Sequence, residues 1–317
     1  MALMAVLLTG CQSSPLNSPW HARHPIYQAF SEQGFTERRG RSDEYVLPVR
    51  AWLRHGVGAR DESPPMPLVV VFEADGAPWR GDGYFPPENP TPDRAVGAEI
   101  AIAVARAYPK APILYIARPC QFIDPASSVF ERHCADNHLW TSGRFGGRLV
   151  QEASALIDAV QRGSSGTLNS GLIDLGTSDS VPTDSGFTGG TSVLVGYSGG
   201  GTLALLVALY RSDIACLTTF ASPLDLQAWA RVLRLTPLAD SLDPADQISG
   251  LAKIPRLGFW FGSADSLVPI QAAGRLAPIH SYRGALHIVE GLGHRPVDAW
   301  VAGARDRLRL SCAPLFD

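Results

Sequence analysis

The stretch VLVGYSGGGTLALL, Val193 to Leu206, constrains this chain more than any other. A short valine-rich run enters a glycine cluster, and the chain leaves it apolar again for two helical turns. At the centre, Gly196-Tyr197-Ser198-Gly199-Gly200 is the one Gly-x-Ser-x-Gly match in the sequence. A strand that turns this sharply into a helix must cross it closely. Small residues two before and two after the serine permit that crossing. The serine hydroxyl then stands at the upper edge of a sheet, and the Gly199 amide, at a helix N-terminus, is free to meet an anion. The competing readings are a flexible turn and a phosphate-binding loop. The second lacks both the Lys-Ser/Thr ending of a P-loop and a G-x-G-x-x-G spacing.

The rest of the chain repeats the strand-then-helix rhythm. Apolar runs at Leu68–Phe72, Ile113–Ala117, Ser192–Gly196, Ala215–Phe220, Arg256–Phe261 and Ala285–Glu290 read as strands. Helical patterns fall at Val96–Tyr108, Gly147–Arg162, Gly201–Arg211, Ile270–Leu276 and Val297–Leu308. Tyr45–Val49 and Ala51–Arg54 suggest a hairpin at the sheet edge. Continuous apolar character in Leu68–Val71 fits a strand covered on both faces, as a parallel sheet demands. The expected fold class is therefore α/β, a doubly wound, mostly parallel sheet. With 317 residues, 45% hydrophobic and 18% charged, the chain suffices for one sizeable core. Two stretches break the rhythm. Residues 163–190, rich in Gly, Ser, Thr and Asp, read as a flexible insertion, and residues 222–254 as a short lid segment above the strand ends. The domain itself is expected over 41–317.

The N-terminus carries a different message. An apolar run from Ala2 to Leu8 leads into Leu8-Thr9-Gly10-Cys11, which resembles the lipobox of bacterial lipoproteins, without the basic n-region of a secretory signal. That resemblance implies a signal peptide over 1–10, palmitate-type lipid on Cys11, and a tether and arm over 11–40. The domain would then face the periplasm from a membrane of the cell envelope. Cys120, Cys134, Cys216 and Cys312 remain, and in an oxidising compartment they allow two disulfides in three pairings. Pairing Cys120 with Cys134 closes a short loop and leaves Cys216 with Cys312; four buried thiols are the alternative. Nothing has metal-ligand spacing, and a net charge of −3 gives no reason to expect nucleic acid.

A serine is a poor nucleophile unless a histidine takes its proton and a carboxylate holds that histidine. Downstream of Ser198, GFWFGSADSLVPI offers Asp265 after one strand, and LHIVEGLGHRPVDAW offers His294 after the next. Serine, acid and histidine therefore follow in chain order, each past the C-terminal end of a strand. Asp225 is the main alternative acid. His287 falls inside a strand and reads as packed. A second oxyanion donor is expected from EADGAPW, Glu73 to Trp79, where Gly76 or Ala77 could present its amide and Asp75 could brace the loop or touch substrate. Arg118, in RPCQF, could bind an acidic group, or pair with a carboxylate such as Asp75. Trp79, Trp140, Trp229 and, next to the serine, Tyr197 are candidates to line a substrate pocket.

The serine turn with the Asp265 and His294 loops resembles the α/β-hydrolase superfamily over roughly residues 65–310. EADGAPW, ARPCQF, TTFASPLDLQAW and LADSLDPAD are similar to a group of proteobacterial lipoproteins with such domains. The resemblance implies a serine hydrolase with Ser198, Asp265 and His294 as its triad, no cofactor, and a small ester or acyl compound as substrate. Peptidase, amidase or acyltransferase chemistry on the same triad, and a non-enzymatic envelope lipoprotein, are the other classes. Asp75 stands where esterases often carry His-Gly, so their substrate preference does not transfer.

Overall fold

The computed structural model describes residues 24–39, 47–57, 66–76, 86–162, 190–281, 285–295 and 297–316. Cys11 and the expected signal peptide, the first part of the expected tether, Tyr45, Ala77, Trp79 and nearly all of the 163–190 stretch lie outside them.

The described residues begin with α1 (Pro25–Glu32), β1 (Thr36–Arg39), β2 (Arg50–Arg54) and β3 (Leu68–Phe72). Then come α2 (Val96–Ala107), β4 (Ile113–Ile116), α3 (Ser128–His133) and α4 (Gly147–Gln161). The central unit is β5 (Ser192–Tyr197), α5 (Gly199–Tyr210) and β6 (Ile214–Phe220), followed by α6 (Leu226–Leu233). It ends with β7 (Arg256–Gly262), β8 (Leu286–Val289), α7 (Asp298–Ala302) and α8 (Ala304–Cys312). Among the described residues, eight strands form one sheet in the order β1-β2-β4-β3-β5-β6-β7-β8. Among these strands the β1–β2 and β2–β4 pairs are antiparallel and the others parallel.

The sheet is covered on both faces, which explains the unbroken apolar run of β3. Leu68, Val70 and Phe72 join one core layer with residues of α4 and α5. Val69 and Val71, pointing the other way, join a second layer with α2 and α8. Helix α5 has no polar stripe because it needs none: Gly199 to Leu209 are all buried, between the sheet and the short 3₁₀ turns of Pro244–Lys253.

The predicted edge hairpin is corrected. Ala51–Arg54 does form a strand, but its partners are Thr36–Arg39 and β4, and residues 47–49 are irregular. Helix α1 and β1 come from the stretch expected to serve as tether and arm. The anchor is aromatic: Phe30 of α1 packs 5.0 Å from the Tyr115 ring and 5.5 Å from Trp52. A helix-initiating proline at Pro25 and this apolar face were the available signals. The last predicted helix splits at Gly303 into α7 and α8.

Two disulfides are present, Cys120–Cys134 and Cys216–Cys312. The second staples α8 to β6 inside the core layer. The first closes a small satellite core of Ile123, Phe130 and Trp140. Trp140 is therefore packing, with Phe130 beside it.

Candidate functional site

Glu73, Arg118, Ser198, Asp265 and His294 all follow C-terminal ends of parallel strands or, for His294, the turn after β8. Because β3 and β5 are neighbours, the loop carrying Asp75 and Gly76 lies beside the Ser198 turn.

Ser198 joins β5 to α5 with φ 53° and ψ −130°, a conformation unusual for a residue with a side chain. Such a backbone costs roughly 1–3 kcal/mol and persists only when its surroundings hold it. Here the hold is visible. Ser198 N–H still donates to Phe220 O of β6 at 2.8 Å, while Gly201 N–H already donates back to Ser198 O at 3.0 Å. A Cβ on Gly196 would collide with the Gly200 backbone, and one on Gly200 would come within 2.5 Å of Phe72 O. The glycines expected to permit the crossing are the points where strand and helix backbones touch. The first amides of α5, Gly199 among them, have no intrahelical acceptor.

Asp265 is buried after β7. One carboxylate oxygen accepts from Leu267 N–H at 2.9 Å and Val268 N–H at 2.7 Å. The other accepts from His294 Nδ1 at 2.9 Å. With Nδ1 donating, Nε2 is left as the acceptor of the ring. His294 is further held through its backbone, since Tyr197 Oη donates to His294 O at 2.8 Å and the two rings pack 5.1 Å apart. Tyr197, a candidate pocket residue, is thus almost fully buried under the histidine. Burial, reinforced by the Asp265 charge, pushes its phenol pKa well up, so it stays a donor.

Asp225 is fully used elsewhere. It caps α6 through Ala228 N–H at 2.9 Å and takes both the backbone N–H and Nε of Arg275 at 2.9 Å. Burial pushes its carboxyl up, but Arg275 overrides this and holds it below its ordinary value. His287 stacks on Trp260 at 4.0 Å, in the strand, as expected.

Asp75 braces its loop through two buried arginines, Arg118 Nη1 at 2.9 Å and Arg144 Nε at 3.1 Å. Arg144 was missed by sequence reasoning. It is a lone arginine in a glycine-rich turn, and only the fold brings it next to Asp75. Trp229, from the segment expected to be a lid, runs from this cluster to the acid loop. Its ring lies 5.6 Å from the Arg144 guanidinium, and its Nε1 donates to Leu267 O at 2.9 Å. Gly76 adopts φ 74°, which favours glycine, and a Cβ there would come within 2.6 Å of Pro90 O.

Glu73 was also unforeseen. Fully buried, it accepts from Tyr115 Oη at 2.7 Å and from Gly97 and Ala98 N–H at 3.0 and 3.1 Å. The capping residue of α2, Ala95, has no side-chain bond to offer, so Glu73 satisfies that helix end from the adjacent strand. Burial nevertheless raises its pKa. Among the described residues, no group of three or more His, Cys, Asp or Glu could hold a metal, and no helix is long and apolar enough to cross a membrane.

Solved structures of similar fold are numerous. A puromycin-hydrolyzing peptidase from Mycobacterium tuberculosis superposes with a TM-score of 0.55 over 88% of this chain, at 14% identity. An esterase from Pyrococcus furiosus gives 0.51, at 9% identity, over 90% of this chain and 96% of its own. An α/β hydrolase of unknown function from Agrobacterium tumefaciens gives 0.50, at 15% identity, over 87% of this chain and 95% of its own. The fold is that of the α/β hydrolases. This chain spans 39% of the peptidase's length, so within that protein the α/β-hydrolase fold is one part. No protein-family model and no curated protein sequence matches the chain.

Proposed function

We propose that this chain is a serine hydrolase of carboxylic esters, with Ser198 as nucleophile, His294 as general base then acid, and Asp265 orienting His294. The observation that carries the reading is the His294–Asp265 hydrogen bond, made between the loops after β8 and β7 of the sheet whose β5 ends in the strained Ser198 turn. Ser198 would attack the ester carbonyl while His294 Nε2 takes its proton. The tetrahedral oxyanion would be met by the Gly199 amide and by an amide of Gly76 or Ala77. His294 would return the proton to the leaving alcohol, and water would then release the acyl group by the same steps in reverse. Trp229 and, outside the described residues, Trp79 would flank the substrate.

An amide substrate is the second reading, favoured by the superposition on a puromycin-hydrolyzing peptidase. The test is Ser198→Ala in the purified chain. It is expected to abolish both hydrolysis of short p-nitrophenyl esters and labelling by a fluorophosphonate. Undiminished turnover would sink the assignment, and a panel of matched esters and amides would separate the two substrate classes.

The N-terminal reading remains part of this proposal: cleavage before Cys11, lipid on that cysteine and a domain facing the periplasm. Two disulfides support an oxidising compartment. Labelled palmitate should enter the wild-type chain expressed in a Gram-negative host and not Cys11→Ser.

A further inference from the structure

The Asp75 cluster poses an electrostatic problem. A Cβ added to Gly199 would run into the Asp75 carboxylate, so that carboxylate lies directly against the residue whose amide is proposed to bind the oxyanion. A negative charge there opposes the negative charge that develops in the transition state. Two guanidinium groups answer it. Arg118 Nη1 is 2.9 Å from Asp75 Oδ1, and Arg144 Nε is 3.1 Å from Oδ2. Arg118 also reaches the elbow itself: the same Nη1 donates to Gly199 O at 3.1 Å, and its Nη2 donates to Arg144 O, tying the three residues and the helix start together. Both guanidinium carbons sit over the Phe145 ring, 4.9 and 5.5 Å from its centroid.

Stability is a poor reason for this arrangement. Both arginines are about 3% exposed. Arg118 Nε has no hydrogen-bond acceptor among the described residues, and Arg144 Nε meets Asp75 as an ion pair without hydrogen-bond geometry. Buried ion clusters with unsatisfied donors seldom outperform an apolar replacement. Glu73, the other nearby carboxyl, is already committed to the α2 terminus and Tyr115. Two positive groups therefore face one carboxylate at the Gly199 backbone.

We propose that Arg118 and Arg144 are positioning residues for the reaction: they cancel the Asp75 charge and clamp Gly199 so that its amide can receive the oxyanion. This rests on the serine-hydrolase reading above. The clamp acts on the transition state and not on the bound ester, so it affects kcat and leaves KM alone.

The experiment compares Arg118→Lys, Arg144→Gln and Arg144→Lys with the wild-type chain. It measures kcat and KM on p-nitrophenyl butyrate, inhibition by phenylboronic acid as a tetrahedral anion mimic, fluorophosphonate labelling of Ser198, and circular dichroism. Lysine keeps the charge but cannot span Asp75, Gly199 O and Arg144 O at once. A folded Arg118→Lys is expected to lose about tenfold to a hundredfold in kcat and a similar factor in boronate affinity, with KM within about twofold. Arg144→Gln should lose about tenfold in both, and Arg144→Lys should recover part of that loss. Folded variants with wild-type kcat and boronate affinity overturn the proposal, as does a rise in KM at unchanged kcat. If Arg144→Gln does not fold, the Arg118→Lys result decides. Failure of the wild-type Ser198 to label removes the serine-hydrolase reading itself, a separate outcome from any failure of the arginine variants.

Discussion

Asp265 divides its carboxylate between two tasks: one oxygen holds His294 Nδ1 at 2.9 Å, and the other is pinned by the amides of Leu267 and Val268. The acid is thus fixed by its own loop before it fixes the histidine. Asp225, the rival acid, is pinned equally firmly, but to α6 and Arg275.

These partners separate the two candidates by mutation. Asp265→Asn should cost on the order of 10³–10⁴ in kcat, because an amide no longer enforces the tautomer that leaves Nε2 free. Asp225→Asn should leave kcat within a few-fold and lower stability by about 1–2 kcal/mol through loss of the ion pair with Arg275, since an asparagine Oδ1 still caps α6. Esterase kinetics and urea denaturation on the two variants test this; equal losses of kcat would contradict it.

The strand–helix crossing predicts a steric asymmetry among glycines. A Cβ at Gly200 would lie 2.5 Å from Phe72 O and 2.6 Å from Glu73 O, both backbone atoms. Gly200→Ala should therefore destabilise by about 1–3 kcal/mol or more. At Gly147, in the first turn of α4, the nearest atom is the Leu242 Cδ1 methyl at 3.6 Å. Gly147→Ala should be neutral or stabilise by roughly 0.5–1 kcal/mol. Urea midpoints should move in opposite directions or differ by that margin.

The disulfides differ in the chain they close: Cys120–Cys134 spans 14 residues and Cys216–Cys312 spans 96. Loop-closure entropy alone assigns about 3 kcal/mol to the short loop and about 4.7 kcal/mol to the long one. The Cys216→Ala/Cys312→Ala double variant should be the less stable of the two double variants by chemical denaturation. The opposite ranking would show that the small Cys120–Cys134 core has an importance beyond chain entropy.

Acid sensitivity should trace in part to Asp225. Its folded pKa lies below the ordinary value of 3.8 because Arg275 outweighs the burial that pushes it up. A depressed carboxyl contributes stability that is present above the unfolded pKa and is lost as pH falls through the folded one. Arg275→Gln removes the cause of the depression. Its stability should fall less steeply than the wild type's when denaturation is followed from about pH 5 down to about pH 2. Parallel pH profiles would assign the acid response to other groups.

Much of this architecture was legible in residue order. The apolar runs of β3 to β7 are rich in β-branched or aromatic residues and bounded by turns, and a strand buried on both faces leaves little ambiguity. The edge was not legible in the same way. β1 is TERR, four residues with no apolar pattern, and it becomes a strand only because β2 offers it a free hydrogen-bonding edge. Ser198, Asp265 and His294 could be singled out as candidates because each stands in a glycine-bearing loop past a strand end. Arg144 and Glu73 were not, because nothing local distinguishes them.

By itself, then, the sequence determined the strand–glycine–helix turn at Ser198, the alternation that makes a parallel sheet, and the order of Ser198, Asp265 and His294. Those are short-range properties, set by residue size, backbone freedom and apolar periodicity. The tertiary structure decided which aspartate meets His294, which cysteines pair, and that Asp75 lies against Gly199 between two arginines. Each of those depends on strands that are distant in sequence but adjacent in the sheet. Burial then strengthens every charge brought into contact there.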